Sequence, residues 1–309
     1  MKNKYIGNTE DSNLFFFFIM GFSIVCWGFA FPLIKLGLRE LSPISLTILR
    51  LSLVSIVFLV LFLVISPSKL RLQDIPYIFL LGFIGIVLYH LCLNYGETQV
   101  SAGAASLIIA TIPIFVVIFA ALFLHEKITS HILLGILLSM SGVTILSITG
   151  KKLEIEYLSG AIAILFSAMV GAGYTILGKK LLQRYTAFSL TGYAFILGSV
   201  TLLPMINNDF ITEVINLSTI GWIAVLSLVF FPTVIAYVFW YKALEMKPAS
   251  EISVYLYFTP VISTILGIIM FNEPITPFYL LGGFLVIPVS YTHLRAHETR
   301  HDLVCRLLL

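Results

Sequence analysis

Residues 89–129, YHLCLNYGETQVSAGAASLIIATIPIFVVIFAALFLHEKIT, return in altered form at 234–276, VIAYVFWYKALEMKPASEISVYLYFTPVISTILGIIMFNEPIT. Pro113 answers to Pro260, Glu126 to Glu273, and Ile128-Thr129 to Ile275-Thr276. A second echo, ISLT at 44–47 and FSLT at 188–191, keeps nearly the same spacing. The chain is therefore a duplication of a unit roughly 145 residues long. That period is far longer than a solenoid repeat and points to a duplicated membrane half.

The material between the echoes is membrane material. Hydrophobic residues make up 59% and charged residues 11% of the chain, and mean hydropathy is +1.05. A soluble chain carries about 25% charged residues. One bilayer crossing takes about 20 apolar residues in a helix. Such runs fall near 14–36, 43–65, 75–95, 102–124 and 131–149, then 158–179, 187–206, 217–241, 249–271 and from 277 onward. The expected fold class is an all-α membrane protein of about ten transmembrane helices in two five-helix repeats. An odd number of crossings per repeat inverts the second repeat relative to the first.

Lysine and arginine set the orientation. With the N-terminus in the cytoplasm, the inner segments hold Lys2, Lys4, Lys69, Arg71, Lys127, Lys179, Lys180, Arg184, Lys242 and Lys247. The outer loops hold Arg39, Lys151 and Lys152, with Lys35 near an outer helix end. The first apolar run reads as a retained span, because no small-residue cleavage pattern closes it. The expected location is the inner membrane, multi-pass, with a cytoplasmic N-terminus.

Several function classes drop out. The loops are too short for a soluble catalytic domain, and no GxxxxGK[ST] motif is present. GxSxG and CxxC motifs are missing too, so no catalytic residue is expected. A net charge of +3 without a basic stripe gives no case for nucleic acid. Three cysteines form no disulfide framework, and Cys26 and Cys92 read as small apolar packers. No cofactor or metal is called for.

The tenth span starts as PFYLLGGFLVIPVS and then stops. Residues 291–309, YTHLRAHETRHDLVCRLLL, are too polar to complete it. His293, His297 and His301 share a helical spacing, but the metal reading is rejected. This tail resembles a peptide fused to the ends of many unrelated predicted proteins, which looks like translated sequencing-adapter DNA. It is expected to be non-native, with the tenth helix truncated near Ser290.

Charges and prolines inside spans are the candidates for function. Arg50 lies several residues inside the second span. It reads either as an anion or carboxylate anchor in a cavity, or as a structural arginine that binds helix-end carbonyls or snorkels to the interface. His90 and Asn94, at i and i+4, share one face of the third span beside Tyr89. His90 reads either as a proton-coupling group or as a satisfied neutral core residue. Trp27, Tyr174, Tyr193 and Tyr257 lie deep enough to line a cavity. Tyr237 and Tyr255 belong to the wider aromatic set, and Trp240 and Tyr241 are assigned to an interfacial belt. Pro32, Pro113, Pro232 and Pro260 are candidate kinks or hinges. The small residues at 101–106 and at 248–250 are expected to permit close helix packing. Glu126 and Glu273 are expected to stabilise turns into the following helices.

Together, Trp27-Gly28 with Pro32 and Lys35, Arg50, Tyr95 through Ala102 leading into Pro113, LHEKIT at 124–129, YKALEMKPAS and FNEPIT make the chain resemble the EamA family of the drug/metabolite transporter superfamily. The likeness covers about residues 14–290, with repeats at 15–149 and 158–290. It implies a ten-helix secondary carrier with a central cavity, exporting amino acids or similar small metabolites by alternating access. The expected partners are a small-molecule substrate, the lipid bilayer and a coupled proton. The rival readings are a lipid-linked or nucleotide-sugar carrier on the same fold and an intramembrane lipid-processing enzyme. Few counter-charges are available for a charged amino acid, which favours neutral, apolar or aromatic solutes.

Overall fold

The computed structural model describes residues 9–124 and 155–272. The fifth and tenth expected spans, the 291–309 tail, Glu126 and Glu273 lie outside these residues. The described chain is helical, with eight helices long and apolar enough to cross a membrane: α1 (Ser12–Gly37), α2 (Pro43–Val64), α3 (Leu72–Gln99), α4 (Ala102–Leu124), α5 (Glu156–Leu181), α6 (Ala187–Met205), α7 (Thr219–Met246) and α8 (Ala249–Phe271). Their outward faces expose Leu63, Ile162, Ile223 and Ile269, which suits a hydrocarbon solvent.

Hydrogen bonds between loops show that the halves run in opposite directions. Glu40, between α1 and α2, accepts from the backbone N–H and the hydroxyl of Ser218, which precedes α7. Glu213 accepts from the backbone N–H of Ser42, at the start of α2. On the other side, Asp74 at the head of α3 accepts from Arg184 and Tyr185, between α5 and α6. Glu245 near the end of α7 accepts from the N–H of Ala187, at the start of α6. So α2 starts at the first face, while α6, its repeat counterpart, starts at the second.

The ISLT and FSLT echoes explain how these counterparts begin. Ser42 caps α2 by accepting from the N–H of Ser45 at 3.2 Å, and Thr186 caps α6 by accepting from Ser189 at 3.3 Å. Both satisfy a helix-start donor that has no partner within the helix. Inside each helix the repeated threonine returns its hydroxyl to a carbonyl four residues back, Thr47 to Pro43 and Thr191 to Ala187.

The breaks in regularity are duplicated as well. In α3 a π-helical stretch spans Phe83–Leu88, and in α7 one spans Val229–Ile235. In α4 the helix pauses at Ala110-Thr111 and restarts at Ile112–Leu124. In α8 a 3-10 stretch, Val254–Phe258, precedes the restart at Thr259–Phe271. Three of the four candidate prolines sit at these breaks: Pro113 and Pro260 just after the restarts, and Pro232 inside the π-helical stretch. Pro32 lies within α1, which continues as one helix to Gly37. Membrane helices tolerate such breaks where neighbours take over the freed backbone groups.

The halves interlock rather than sit side by side. Helix α1 packs on α7 and α8, and α3 packs on α5 and α6. The α3–α6 crossing needs glycine on both sides. A Cβ on Gly82 would lie 2.1 Å from the Ala194 carbonyl oxygen, and one on Gly198 would lie 2.6 Å from the backbone of Gly82. Residues 102–106 of the small-residue run and Ala249 are buried, as close helix approach requires.

Candidate functional site

The interlocked helices enclose a cavity whose wall comes from both halves: Trp27, Ala30, Phe31 and Ile34 of α1, Arg50 of α2, Gly85, Tyr89, His90 and Leu93 of α3, Ile109 and Ile112 of α4, Gly171, Tyr174 and Thr175 of α5, Tyr237 and Trp240 of α7, and Leu256 and Thr259 of α8. About 770 Å³ of atom-free space lies between them, counting the part open to solvent.

A proline and a threonine arrange its charged group. Pro232 has no N–H to give the Leu228 carbonyl four residues back. The Thr233 hydroxyl donates there instead, at 2.6 Å. With its proton committed, Thr233 Oγ1 turns its lone pairs to Arg50 and accepts from Nε at 2.9 Å and Nη2 at 2.7 Å. The remaining nitrogen, Nη1, is buried and makes no hydrogen bond among the described residues. Arg50 is 3% exposed. It lies at the cavity wall, and among the described residues its hydrogen bonds go to Thr233 and not to a helix-end carbonyl. Burying a guanidinium is costly without compensation; here the Thr233 hydroxyl and the attraction of the buried Glu97 carboxylate of α3 supply it.

His90 is also buried, and its Nδ1 is 2.7 Å from the Ile86 carbonyl, within the π-helical stretch of α3. A carbonyl only accepts, so Nδ1 carries the proton. In the neutral ring Nε2 is then an acceptor, and among the described residues no hydrogen bond reaches it.

Aromatic rings form most of the remaining wall, with Tyr237 at their centre. Its ring stacks on His90 at 6.2 Å and meets Trp27 at 5.9 Å, Tyr174 at 5.6 Å and Phe195 at 5.2 Å. Trp27 also meets Trp240 edge-on at 5.3 Å and donates its indole N–H to the Pro232 carbonyl. Trp240 donates to Thr175 Oγ1. The interfacial belt expected for Trp240 and Tyr241 is corrected here. Helix α7 runs on to Met246, so both residues lie more than a turn inside it, 3% and 0% exposed. Tyr241 stacks on Tyr174 with ring centres 4.8 Å apart.

Of the residues proposed from sequence, the structure brings Trp27, Arg50, Tyr89, His90 and Tyr174 to this cavity. Asn94 is buried one turn beyond His90 and donates to Thr47 Oγ1, tying α3 to α2. Tyr193 donates to the Ser68 carbonyl near the second face and packs on Phe62. Tyr257 is buried in the 3-10 stretch of α8 but is not part of the wall. Sequence reasoning passed over Thr233 and Thr259. Thr259 Oγ1 is buried in the wall, with no hydrogen-bond partner among the described residues. The position of Thr233 next to an in-span proline was the available signal. For Tyr237 the repeat itself supplied one, since it occupies the position of His90 in the second half.

Two segments, residues 14–148 and 158–291, match the model of the EamA-like transporter family. The chain belongs to that family. An uncharacterized transporter of Archaeoglobus fulgidus is 36% identical over 279 residues, covering 90% of this chain and 98% of that protein. A probable terminal-alkyne amino-acid exporter of Streptantibioticus cattleyicolor is 31% identical, covering 86% of this chain and 88% of its own length. The uncharacterized transporter YdfC of Bacillus subtilis is 32% identical over 88% of this chain and 89% of its own length. One crystal structure superposes with a TM-score of 0.66 at 16% identity, covering 92% of this chain and 98% of that one. That likeness is one of fold. The protein is a multi-pass membrane transporter and not an enzyme.

Proposed function

We propose that the protein is a secondary carrier that exports amino acids or similar small metabolites by alternating access around the central cavity. The observation that carries this reading is the wall itself. Both halves contribute to it, it is mostly aromatic and apolar, and it holds a buried cation with an unused donor. The exporter among the relatives supports the direction and the solute class. The proposal includes repeats at 15–149 and 158–290, related by inversion, and a location in the inner membrane with the N-terminus in the cytoplasm. His90, with its acceptor nitrogen unused, is the proposed site of a coupled proton. A carrier of nucleotide sugars or lipid diphosphates would need several cations, whereas Arg50 is the only lysine or arginine among the described wall residues.

Counterflow tests the carrier reading without assuming a coupling ion. The purified full chain is placed in proteoliposomes preloaded with unlabelled solute, and uptake of labelled solute is followed across a panel of small neutral and aromatic metabolites. Transient accumulation of at least one solute, abolished in Gly85→Leu, is expected. No accumulation of any solute by protein that is monodisperse and folded overturns the proposal.

A further inference from the structure

Three Asp, Glu, Lys or Arg side chains are buried among the described residues: Arg50, Asp74 and Glu97. Asp74 is engaged by Arg184 and Tyr185 at the second face. Arg50 and Glu97 lie inside α2 and α3 and attract one another. Glu97 also acts electrostatically on Tyr89 of the cavity wall. The second half builds the corresponding helices without either charge: Ala194 stands at the place of Arg50, and Leu244 at that of Glu97. Helix packing therefore does not require the pair, and two buried charges are costly to keep. Ionisable residues inside a membrane mark solute and ion sites.

The spacing of the pair follows from the contact between its helices. Asn94 Nδ2 donates to Thr47 Oγ1 at 2.9 Å, which sets these two residues at one level. Helix α2 starts at the first face and α3 ends there, so Arg50 lies three residues deeper than Thr47 and Glu97 three residues shallower than Asn94. Six residues of helix offset the two backbones by about 9 Å. An α-amino acid with a hydrogen bond of about 3 Å at each end of its charged head spans roughly the same length. The groups between suit it. On the α2 side, Arg50 Nη1 is a buried donor with no hydrogen-bond partner among the described residues. On the α3 side, His90, Asn94 and Glu97 share one helix face with Leu93, and His90 and Leu93 line the cavity. Asn94 Oδ1 on that face is a buried acceptor with no partner among the described residues.

We infer that the cavity recognises the zwitterionic head of a free amino acid, with the carboxylate on the open end of Arg50 and the ammonium towards Glu97 and Asn94 Oδ1. This rests on the carrier reading above and narrows its solute class. A zwitterion meets the Arg50–Glu97 pair without changing the net charge of the buried site. A monocarboxylate leaves that site with a net negative charge and an amine with a net positive one, and an uncompensated buried charge is costly. Trp27, Tyr174 and Tyr237 then receive an apolar or aromatic side chain. Glu97 determines specificity, and Thr233 is a positioning residue for Arg50.

The test is counterflow by the full chain in proteoliposomes with three labelled probes of similar size: phenylalanine, phenyllactate and phenylethylamine. Phenylalanine is expected to exceed each of the others at least tenfold in kcat/KM. Glu97→Gln is expected to raise KM for phenylalanine at least tenfold while leaving phenyllactate unchanged or improved, so that the preference between them collapses. If Glu97→Gln does not fold, Glu97→Asp draws the carboxylate back by one methylene, and a several-fold rise in KM for phenylalanine alone is expected. Arg50→Gln is expected to remove the preference for phenylalanine over phenylethylamine. Thr233→Val is expected to raise KM for phenylalanine about tenfold with little change in the maximal rate, and Thr233→Ser to restore it. Equal or better transport of phenyllactate by the wild type overturns the inference and leaves the carrier reading standing. So does an equal loss of phenylalanine and phenyllactate in the Glu97 variants, which would mark a structural carboxylate. Counterflow of none of the probes, while another metabolite is carried, overturns the inference alone.

Discussion

Helices α3 and α7 are two copies of one piece of backbone with two different jobs. Each has a π-helical stretch at mid-length followed by an eleven-residue α-helix, Tyr89–Gln99 in one and Ala236–Met246 in the other. At matching places one copy carries Gly85 and Ile86, and the other Pro232 and Thr233. A turn later one carries His90 and the other Tyr237, and these two rings stack on each other. In α3 the π-helical stretch offers a carbonyl to His90. In α7 it offers a hydroxyl to Arg50. Duplication preserved the backbone irregularity, and substitution at the irregularity made the site asymmetric. The π-helical stretch is a reusable device for presenting a polar group inside a helix, as such bulges are at many functional sites.

The comparison breaks most severely at Thr233. Replacing it with valine keeps the shape and removes the hydroxyl that accepts from Arg50 Nε and Nη2. Hydrogen bonds to charged groups are worth about 1.5–3 kcal/mol, so a Tm fall of several degrees in detergent is expected in addition to the transport defect. Differential scanning fluorimetry checks this, and an unchanged Tm would show that the cation is stabilised by something other than Thr233. Pro232→Ala is the sharper partner experiment. It restores an N–H to the Leu228 carbonyl, which then competes with the Thr233 hydroxyl, and transport should fall even though no cavity side chain has changed.

Gly85, at the place of Pro232, is next in size. A Cβ there would lie 2.4 Å from Tyr174 Cβ. Overpacking of this kind costs about 1–3 kcal/mol, so Gly85→Ala should lower Tm by a few degrees and reduce transport of the largest solutes first. A solute-size series read against the wild type decides it. Uniform loss across sizes would mean that Tyr174 moves aside without narrowing the cavity.

The ring pair gives a smaller effect. Tyr237→Phe keeps the stack on His90, and loss of under about 1 kcal/mol is expected, since aromatic pairs are worth about 0.5–1.5 kcal/mol beyond burial. Tyr237→Ala removes the hub and should lose far more. A similar Tm for both variants would assign the contribution of Tyr237 to its hydroxyl instead of its ring.

Hydropathy and repetition made most of the architecture legible before any coordinates. Span lengths follow from the bilayer, and the ISLT and FSLT echoes turned out to be matched helix caps. The inversion followed from an odd count of spans, and opposite loop contacts now display it within the described residues. The site was legible only in part. Arg50 stood out because a charge in a span is rare, but its two readings differ only in what lies across the cavity. That partner, Thr233, is 183 residues away in sequence. Threonine is common in membrane helices, and its role comes from the hydroxyl it sets on the Leu228 carbonyl beside Pro232. The aromatic belt at Trp240 and Tyr241 failed for a simple reason: a span end placed a few residues early turns deep residues into interfacial ones.

The smallest effects belong at the faces, where the duplicated caps also meet different partners. Glu40 binds Ser218 at the first face, through the hydroxyl and the N–H at 2.7 Å each. Asp74 binds Arg184 and Tyr185 at the second, with its own carboxylate buried. The Ser218 hydroxyl, and then its N–H, hold the Glu40 carboxyl below the usual carboxylate range. A depressed folded-state pKa contributes stability above the unfolded pKa of about 4.3, and the contribution is lost as pH falls through the folded value. Glu40 is half-buried at a loop, so the contribution is small and salt-sensitive. Tm measured from pH 7 down to 3 should therefore separate wild type from Glu40→Gln slightly at neutral pH and converge at the acid end. The corresponding change at the buried latch, Asp74→Asn, should cost more at neutral pH. An equal cost at the two faces would mean that burial of the carboxylate does not set the strength of either latch.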